Sequence, residues 1–326
     1  MTTIPLPRLG MGTAAIGNLY QPLSDAAARE TVTTALASGI SYFDTAPHYG
    51  FGLAERRLGD ALAEADPRGT VIISTKVGRL LVPTGATGER HGFVDADPFE
   101  PVFDYSADAI RRSHDASLYR LRRDRVEILL AHDLGRMTHG NDHPAHLRTF
   151  LDSGYGAMRA LRDAGIVDAI GIGVNEVAIC EELLSRVDFD IILLAGRHTL
   201  LDRTSATALF ETCARRGVRV IIGGPYNSGI LARDGVQTAT GLHYDYRPPE
   251  PDVLARAIRI EAICAGFGVS LPAAALQFPL RQKQVATVIP GMVGAEQIAA
   301  SIARIATPIP DALWAALDEE ETIIAS

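Results

Sequence analysis

Only three cysteines, Cys180, Cys213 and Cys264, occur in the 326 residues. They are odd in number, widely spaced and set in segments with a helical pattern. That excludes a disulfide framework, offers no zinc-ligand spacing, and leaves buried free thiols as the expected state. Long apolar runs are absent as well. No window approaches the roughly 18 apolar residues of a spanning helix, and the amino-terminal stretch has no basic start followed by an apolar core, so the chain reads as cytoplasmic, without a membrane partner. Positive charge is in deficit: 31 Lys+Arg against 39 Asp+Glu leave a formal net charge of −8 and a sequence pI near 5.6. Without a basic stripe, that balance argues against nucleic acid or an anionic surface and leaves a small molecule as the partner. Low-complexity tracts are missing too. At 47% hydrophobic and 21% charged, the chain has ample means to bury a large core, and one compact domain over 1–326 is expected. Composition leaves the oligomeric state open.

What is present is an alternation. Pro5–Gly12 is a short apolar segment opening into a glycine turn, and Ser24-Asp25 then cap a helix that runs to Ala37 and stops at Gly39. Ser41–Asp44 reads as a buried strand broken by Thr45-Ala46-Pro47. Leu53–Ala63 has helical period, and Val71–Lys76 is a β-branched run ending on a lysine. Val126–His132, Ala169–Asn175, Phe189–Leu194, Val218–Ile222 and Val285–Ile289 continue the series, each after a helical segment. Eight strands, most of them apolar on both faces and alternating with helices, predict an α/β fold with a parallel sheet closed as a (β/α)8 TIM barrel. The competitor is an open doubly wound sheet, but no G-x-G-x-x-G follows the first strand. A barrel also brings Asp44, Lys76, His132 and Asn175, each ending a different strand, to one face.

Two stretches interrupt the alternation. Residues 78–105 show neither helical nor strand period, and a loop of that length is expected to cover the substrate. Residues 235–251, rich in Gly, Tyr and Pro, form a second such loop.

Asp44, Tyr49, Lys76 and His132 form a set with chemical logic. A phenol has a pKa near ~10 and is a poor base at neutral pH. An ammonium beside it favours the phenolate; a buried ammonium in turn needs a counter-charge, which Asp44 supplies. His132 can hydrogen-bond the substrate oxygen and hold it against Tyr49. Singly, each residue has a plain structural reading: a buried ion pair, a packing tyrosine, a core histidine. Together they can move a proton on and off a carbonyl or alcohol oxygen. With neither a nucleophile elbow nor a metal-ligand cluster, the partner reaction is expected to be hydride transfer with a bound nicotinamide.

The set FDTAPHYG, STK and LLAHD resembles the Asp, Tyr, Lys, His tetrad of the aldo-keto reductase superfamily, and the similarity runs from LGMGTAAIGN to VIPGMVGAEQI. Within it, the Leu19-Tyr20 pair, APHYGFGLAERRLG, STKVGRLL, AGRHTLLD and GGPYNSGIL are most similar to the D-threo-aldose 1-dehydrogenase (L-fucose dehydrogenase) and pyridoxal 4-dehydrogenase group. The resemblance implies a barrel that binds NAD(P) in extended form at its carboxyl face. It makes Tyr49 the acid/base, tuned by Lys76 and Asp44, and His132 the substrate-orienting residue. Asn175 would hold the nicotinamide carboxamide. Pro225, Tyr226, Asn227, Ser228 and Gly229 would line the pyrophosphate, with Pro290, Gly291 and Gln297 also at the cofactor.

This chain departs from the family pattern in three places. Gly223 stands where many members stack a tyrosine on the nicotinamide, and Ala195 or Gly196 stands where a glutamine often pairs with the asparagine. After the eighth strand, Gly291, Met292 and Val293 offer no cation to a 2′-phosphate and Glu296 would repel it, which predicts NAD over NADP. Arg304 is the residue able to overturn that, although the expected role is an exposed helix arginine. An NAD-linked member is expected to oxidise. The expected reaction takes a sugar hemiacetal, such as L-fucose, to its lactone. The alternatives are oxidation of the pyridoxal hemiacetal to 4-pyridoxolactone and a non-catalytic NAD(P)-binding regulatory subunit. Glu89, Arg90, His91, Asp95, His198, His243 and Tyr244 lie in loops within reach of a substrate, with no role assigned.

Overall fold

Each of the eight segments read as strands overlaps a strand in the computed structural model, which describes residues 4–245 and 247–325. In chain order the strands are β1 (Met11–Gly12), β2 (Tyr42–Asp44), β3 (Ile72–Val77), β4 (Arg79–Pro83), β5 (Phe99–Phe103), β6 (Ile128–His132), β7 (Ala169–Val174), β8 (Ile191–Ala195), β9 (Arg219–Gly223) and β10 (Val285–Ile289). All but β4 and β5 form one parallel sheet in the order β1-β2-β3-β6-β7-β8-β9-β10. Parallel bridges Leu9↔Val288 and Gly12↔Gly291 join its two ends. The backbone bonds Gly10 N–H to Val288 O (2.9 Å) and Val288 N–H to Arg8 O (3.1 Å) complete the seam. This is the (β/α)8 barrel that the alternation predicts.

Side-chain parity then decides what lies inside. Tyr42, Ile128, Leu130, Ala169, Ile191, Leu193, Ile221 and Ile289 pack together in the barrel interior. Phe43, Ile73, Leu129, Ile170, Ile192 and Val220 point the other way, onto the helices. Because successive strand residues alternate, the next inward position beyond Tyr42 is Asp44, beyond Leu130 is His132, and beyond Ile221 is Gly223. The carboxyl ends of the strands thus present their inward residues to one face. The helices are locally specified too: Ser24 Oγ accepts from the Ala27 N–H at 3.2 Å to start Asp25–Ala37.

Residues 78–105 differ from the expectation of a structureless loop. They contain an antiparallel hairpin, β4 with β5, in register from Arg79↔Phe103 to Pro83↔Phe99. Its strands carry Pro83 and Pro101, lie outside the barrel and have no cleanly buried face, so no period-2 signal marks them; proline is tolerated because a two-stranded ribbon is all edge. The tip, 84–98, folds back over the barrel mouth: Leu19 pairs with Phe93, Tyr20 N–H donates to Gly92 O (2.8 Å), and Val94 N–H donates to Asn18 O (3.0 Å). The described residues of 235–251 hold a 3-10 turn, Val236–Thr238, and a Tyr244↔Arg247 bridge before the helix Pro251–Gly266. The three cysteines are buried and free. Among the described residues, no single helix is long and apolar enough to cross a membrane.

Candidate active site

The four polar residues separated by the sequence meet at the barrel's carboxyl face. Lys76, at the end of β3, is 1% exposed, and its Nζ donates to Asp44 Oδ2 at 2.7 Å and to Thr45 O at 2.9 Å. Gly173 on β7 makes room for it, since a Cβ there would stand 3.2 Å from Lys76 Cε. Asp44 Oδ1 accepts from Ser74 Oγ at 2.6 Å, so both of its oxygens are engaged. The Lys76 ammonium lies 4.8 Å from the centre of the Tyr49 ring. Burial alone would lower the Lys76 pKa, but the Asp44 carboxylate and the Tyr49 hydroxyl outweigh it and the value is raised. The amine is therefore an ammonium at neutral pH.

Tyr49 follows the break at Ala46-Pro47 and opens a tight turn in which Gly50, Phe51 and Gly52 all take positive φ (63, 56 and 103°). The His132 ring stands perpendicular to that of Tyr49, centroids 6.1 Å apart. Burial, then the charges of Arg79 and Lys76, push the His132 pKa well below its usual range. The imidazole is thus neutral and works as an N–H donor rather than a cation.

A cavity of about 530 Å³ opens directly on this group. Tyr49, Lys76, His132 and Asn175 line it, with Leu193 and Ala195 on one wall and Leu19, Tyr20 and Phe93 from the covering segments on another. Four polar lining residues had no role, or no mention, in the sequence reading. Glu89 and His91 come from the hairpin tip, His48 precedes Tyr49, and Asp133 follows His132. His48 and Asp133 lie within the APHYG and LLAHD motifs, each directly beside a residue whose type already declares its chemistry. The other loop candidates do not line the cavity. Arg90 is spent on Phe99 O, Asp97 O and Glu100, and His198 is buried against Phe210 and Phe278. His243 stacks on Tyr20 at 6.3 Å, outside. Tyr244 packs with a separate cluster of apolar residues that includes Leu200 and Ile260.

The segments assigned to a cofactor form a rim around the same mouth. Asn175 donates its amide to Ala195 O at 3.2 Å, and Asn227 donates to Gly196 O at 3.1 Å. Asn227 Oδ1 is buried without a partner. Tyr226 is near-helical while Asn227 and Ser228 are left-handed (φ 45 and 60°), and the turn is closed by its own backbone, with Asn227 N–H donating to Gly224 O and Gly229 N–H to Tyr226 O, both at 3.0 Å. Left-handed backbone at two non-glycine residues costs about 1–3 kcal/mol each and persists where a site needs it. The Tyr226 side chain faces away, with its hydroxyl 3.5 Å from the Arg304 guanidinium. Gly223 leaves the wall bare, because a Cβ there would stand 3.2 Å from Ala195 Cβ. Pro290 O accepts from Gly12 N–H at 3.0 Å, Gly291 bridges Gly12, and Gln297 Oε1 accepts from Val293 N–H at 3.0 Å as a helix cap. The unpartnered Asn227 Oδ1 and the Asn175 amide are the polar groups at this mouth that would meet a nicotinamide dinucleotide. Arg304 is not the exposed helix arginine expected: it is partly buried and also donates to Ala232 O at 3.3 Å.

The buried imidazoles make the fold acid-sensitive. Burial holds His48 at about 2 and His139 and His198 at about 4, and lowers His132 as well. In the unfolded chain all four protonate near ~6.5. The unfolded state therefore binds more protons as pH falls below that value, and stability present above it is lost on acidification. Asp133 and Glu127, raised by burial, oppose part of the loss. The expected result is a lower Tm at pH 5 than at pH 7.5 by differential scanning fluorimetry; an unchanged or higher Tm contradicts the neutral-imidazole picture.

Comparison with known proteins agrees with the geometry. The chain matches the Aldo/keto reductase family over residues 8–321. It is 39% identical over 340 residues to pyridoxal 4-dehydrogenase of Microbacterium luteolum, covering 99% of this chain and 96% of that protein. It is 36% identical over 330 residues to D-threo-aldose 1-dehydrogenase of Pseudomonas sp, covering 98% and 95%. Among solved structures, an aldo-keto reductase from Bacillus halodurans in its holo form superposes with a TM-score of 0.72 at 25% identity, covering 96% of this chain and 92% of that one. The eight-stranded barrel, the mouth cavity and the full-length similarity have one meaning: this chain is a member of the aldo/keto reductase family, an oxidoreductase that works with a nicotinamide cofactor on small molecules.

Proposed function

We propose that the chain is an NAD-dependent dehydrogenase that oxidises the anomeric carbon of a cyclic sugar, a D-threo-aldose such as L-fucose, to the lactone. The observation that carries this reading is the buried Asp44–Lys76 pair beneath Tyr49, with neutral His132 opposite, at the floor of a cavity of about 530 Å³. Tyr49 as phenolate accepts the proton of the anomeric hydroxyl, and the Lys76 ammonium stabilises that phenolate. His132 donates an N–H to the same oxygen and fixes its position. When bound, NAD+ supplies the acceptor for the hydride that leaves the anomeric carbon. Asn175 holds the nicotinamide end, and Pro225 to Gly229 with Pro290, Gly291 and Gln297 hold the rest. The family's dehydrogenases of aldose and pyridoxal both support an oxidative, hemiacetal-directed role.

NAD is preferred over NADP in this reading because, among the described residues that follow β10, none offers a free cation to a 2′-phosphate. Gly291, Met292 and Val293 carry none, Glu296 is negative, and Arg304 is occupied by Tyr226 and Ala232 O. With the sugar fixed and saturating, kcat/KM for NAD+ is expected to exceed that for NADP+ by about tenfold or more, the loss of roughly one charge-assisted contact plus repulsion. A preference for NADP+ would refute the assignment.

A second reading takes pyridoxal, whose internal hemiacetal presents the same geometry. It is favoured by the rings that line the cavity, Tyr20, His48, His91 and Phe93, and by the 39% identical relative. A panel of L-fucose, D-arabinose, L-galactose, pyridoxal and simple alcohols with NAD+ separates the readings by which compound yields NADH. Absence of NADH with every hemiacetal removes both.

A further inference from the structure

Asp133 sits beside the reacting position, and neither acid/base chemistry nor cofactor binding accounts for it. It takes a left-handed backbone (φ 48°), and its N–H donates to Gly173 O at 2.9 Å, which turns the side chain into the mouth between β6 and β7. It lines the main cavity and also a smaller one of about 180 Å³ on its far side, bounded by Asn175, Glu176, Arg197 and Asp245. One carboxylate oxygen, Oδ2, is fixed from behind by Arg79 at the start of the hairpin. The guanidinium lies 4.9 Å from the centre of the Phe103 ring, so its place is set by the covering segment. The same Oδ2 is 3.3 Å from His132 Nε2. A carboxylate there requires the imidazole proton on Nε2, since two acceptors do not face each other. The imidazole and the carboxylate thus stand side by side on the wall of the same cavity.

We propose that Asp133 is a specificity-determining residue: held by Arg79, it accepts a hydrogen bond from a hydroxyl on the carbon adjacent to the reacting one, and so selects substrates that carry that hydroxyl. The spacing follows from chemistry. An oxygen bound by His132 Nε2 places its vicinal hydroxyl about one hydrogen-bond length away, within reach of a carboxylate already 3.3 Å from that nitrogen. Sugars carry such a hydroxyl at C2; in pyridoxal the carbon adjacent to the reacting one carries none, and the phenolic hydroxyl stands one carbon further away. The inference rests on the oxidoreductase reading of this site and, within it, favours aldoses over pyridoxal. A buried charged acceptor left unmatched by a deoxy substrate is the kind of feature that discriminates strongly.

The test compares D-arabinose with 2-deoxy-D-ribose, which differ only in the C2 hydroxyl, and, in the reductive direction with NADH, lactaldehyde with propanal. The wild-type protein is expected to favour the hydroxylated member of a pair by about thirtyfold in kcat/KM, the contribution of one charge-assisted bond. Asp133→Asn keeps a residue type that tolerates left-handed backbone and an oxygen for Arg79. It is expected to shrink the ratio to about threefold. An Arg79→Met, Asp133→Asn double variant, which removes both buried charges together, is expected to do the same. A purely structural role would lower both members equally and leave the ratio intact. That result, or a wild-type ratio near one in the pair it turns over, overturns the proposal. If neither sugar is oxidised the aldose reading loses its support, while the aldehyde pair still decides the role of Asp133.

Discussion

Tyr49→Phe is expected to lower kcat by about 10³-fold or more, at the upper end of what a positioned general acid/base contributes, while leaving the dissociation constant for NAD+ unchanged. The substitution removes one oxygen and keeps the ring that packs near Phe93 (6.4 Å) and His132. The turn that follows, with three consecutive positive φ angles, is set by Gly50 and Gly52 and not by the hydroxyl. Structure and cofactor affinity should therefore survive when proton transfer does not. Stopped-flow NADH formation and fluorescence titration of the nucleotide read the two effects separately. Turnover within tenfold of wild type would remove Tyr49 from the chemistry and shift the role to His132 or His48.

Lys76→Met is expected to be as damaging to rate and, unlike Tyr49→Phe, to harm the fold. Lys76 and Asp44 have side chains 2% and 3% exposed. Removing one partner of such a pair leaves an uncompensated buried charge, a cost of about 3–5 kcal/mol. In a chain of this size that corresponds to a fall in Tm of about 4 °C or more. The remaining activity is expected to shift toward alkaline pH, because the phenol no longer has a cation to stabilise its ionised form. Adding Asp44→Asn removes the orphaned charge, so the double variant is expected to recover most of the stability and none of the rate. Recovery of rate in the double variant would show that the lysine acts only as a structural counter-ion.

Much of this was legible in the residues because the signals were local. Eight strands stood out since they are buried and mostly apolar, and Asp44, Lys76 and His132 take inward positions near their carboxyl ends. Lys76 stands out in another way, since it and Lys283 are the only lysines in an arginine-rich chain. An arginine does not titrate in a protein and presents a fork rather than a point charge. The hairpin β4–β5 was illegible for a physical reason: with prolines in both strands and no fully buried face, it has no alternation to read. The identities of the cavity walls were also hidden. Phe93 looks like any loop aromatic until it is 2% exposed beneath the covering segment, and Arg79 shows no purpose until the fold places it behind Asp133. Such partnerships join residues 54 positions apart and depend on tertiary packing that no local pattern encodes. Arg304 illustrates the converse: helical spacing alone implied exposure, and the packing of Tyr226 against its helix reversed it.

Identification of the product by carbon NMR, after incubation of the wild-type protein with NAD+ and C1-labelled L-fucose, tests the central claim most directly. The account requires the labelled anomeric carbon to appear first as a lactone carbonyl, with one NADH formed for each lactone. Label that remains in the sugar, or oxidation at a different carbon, would contradict it.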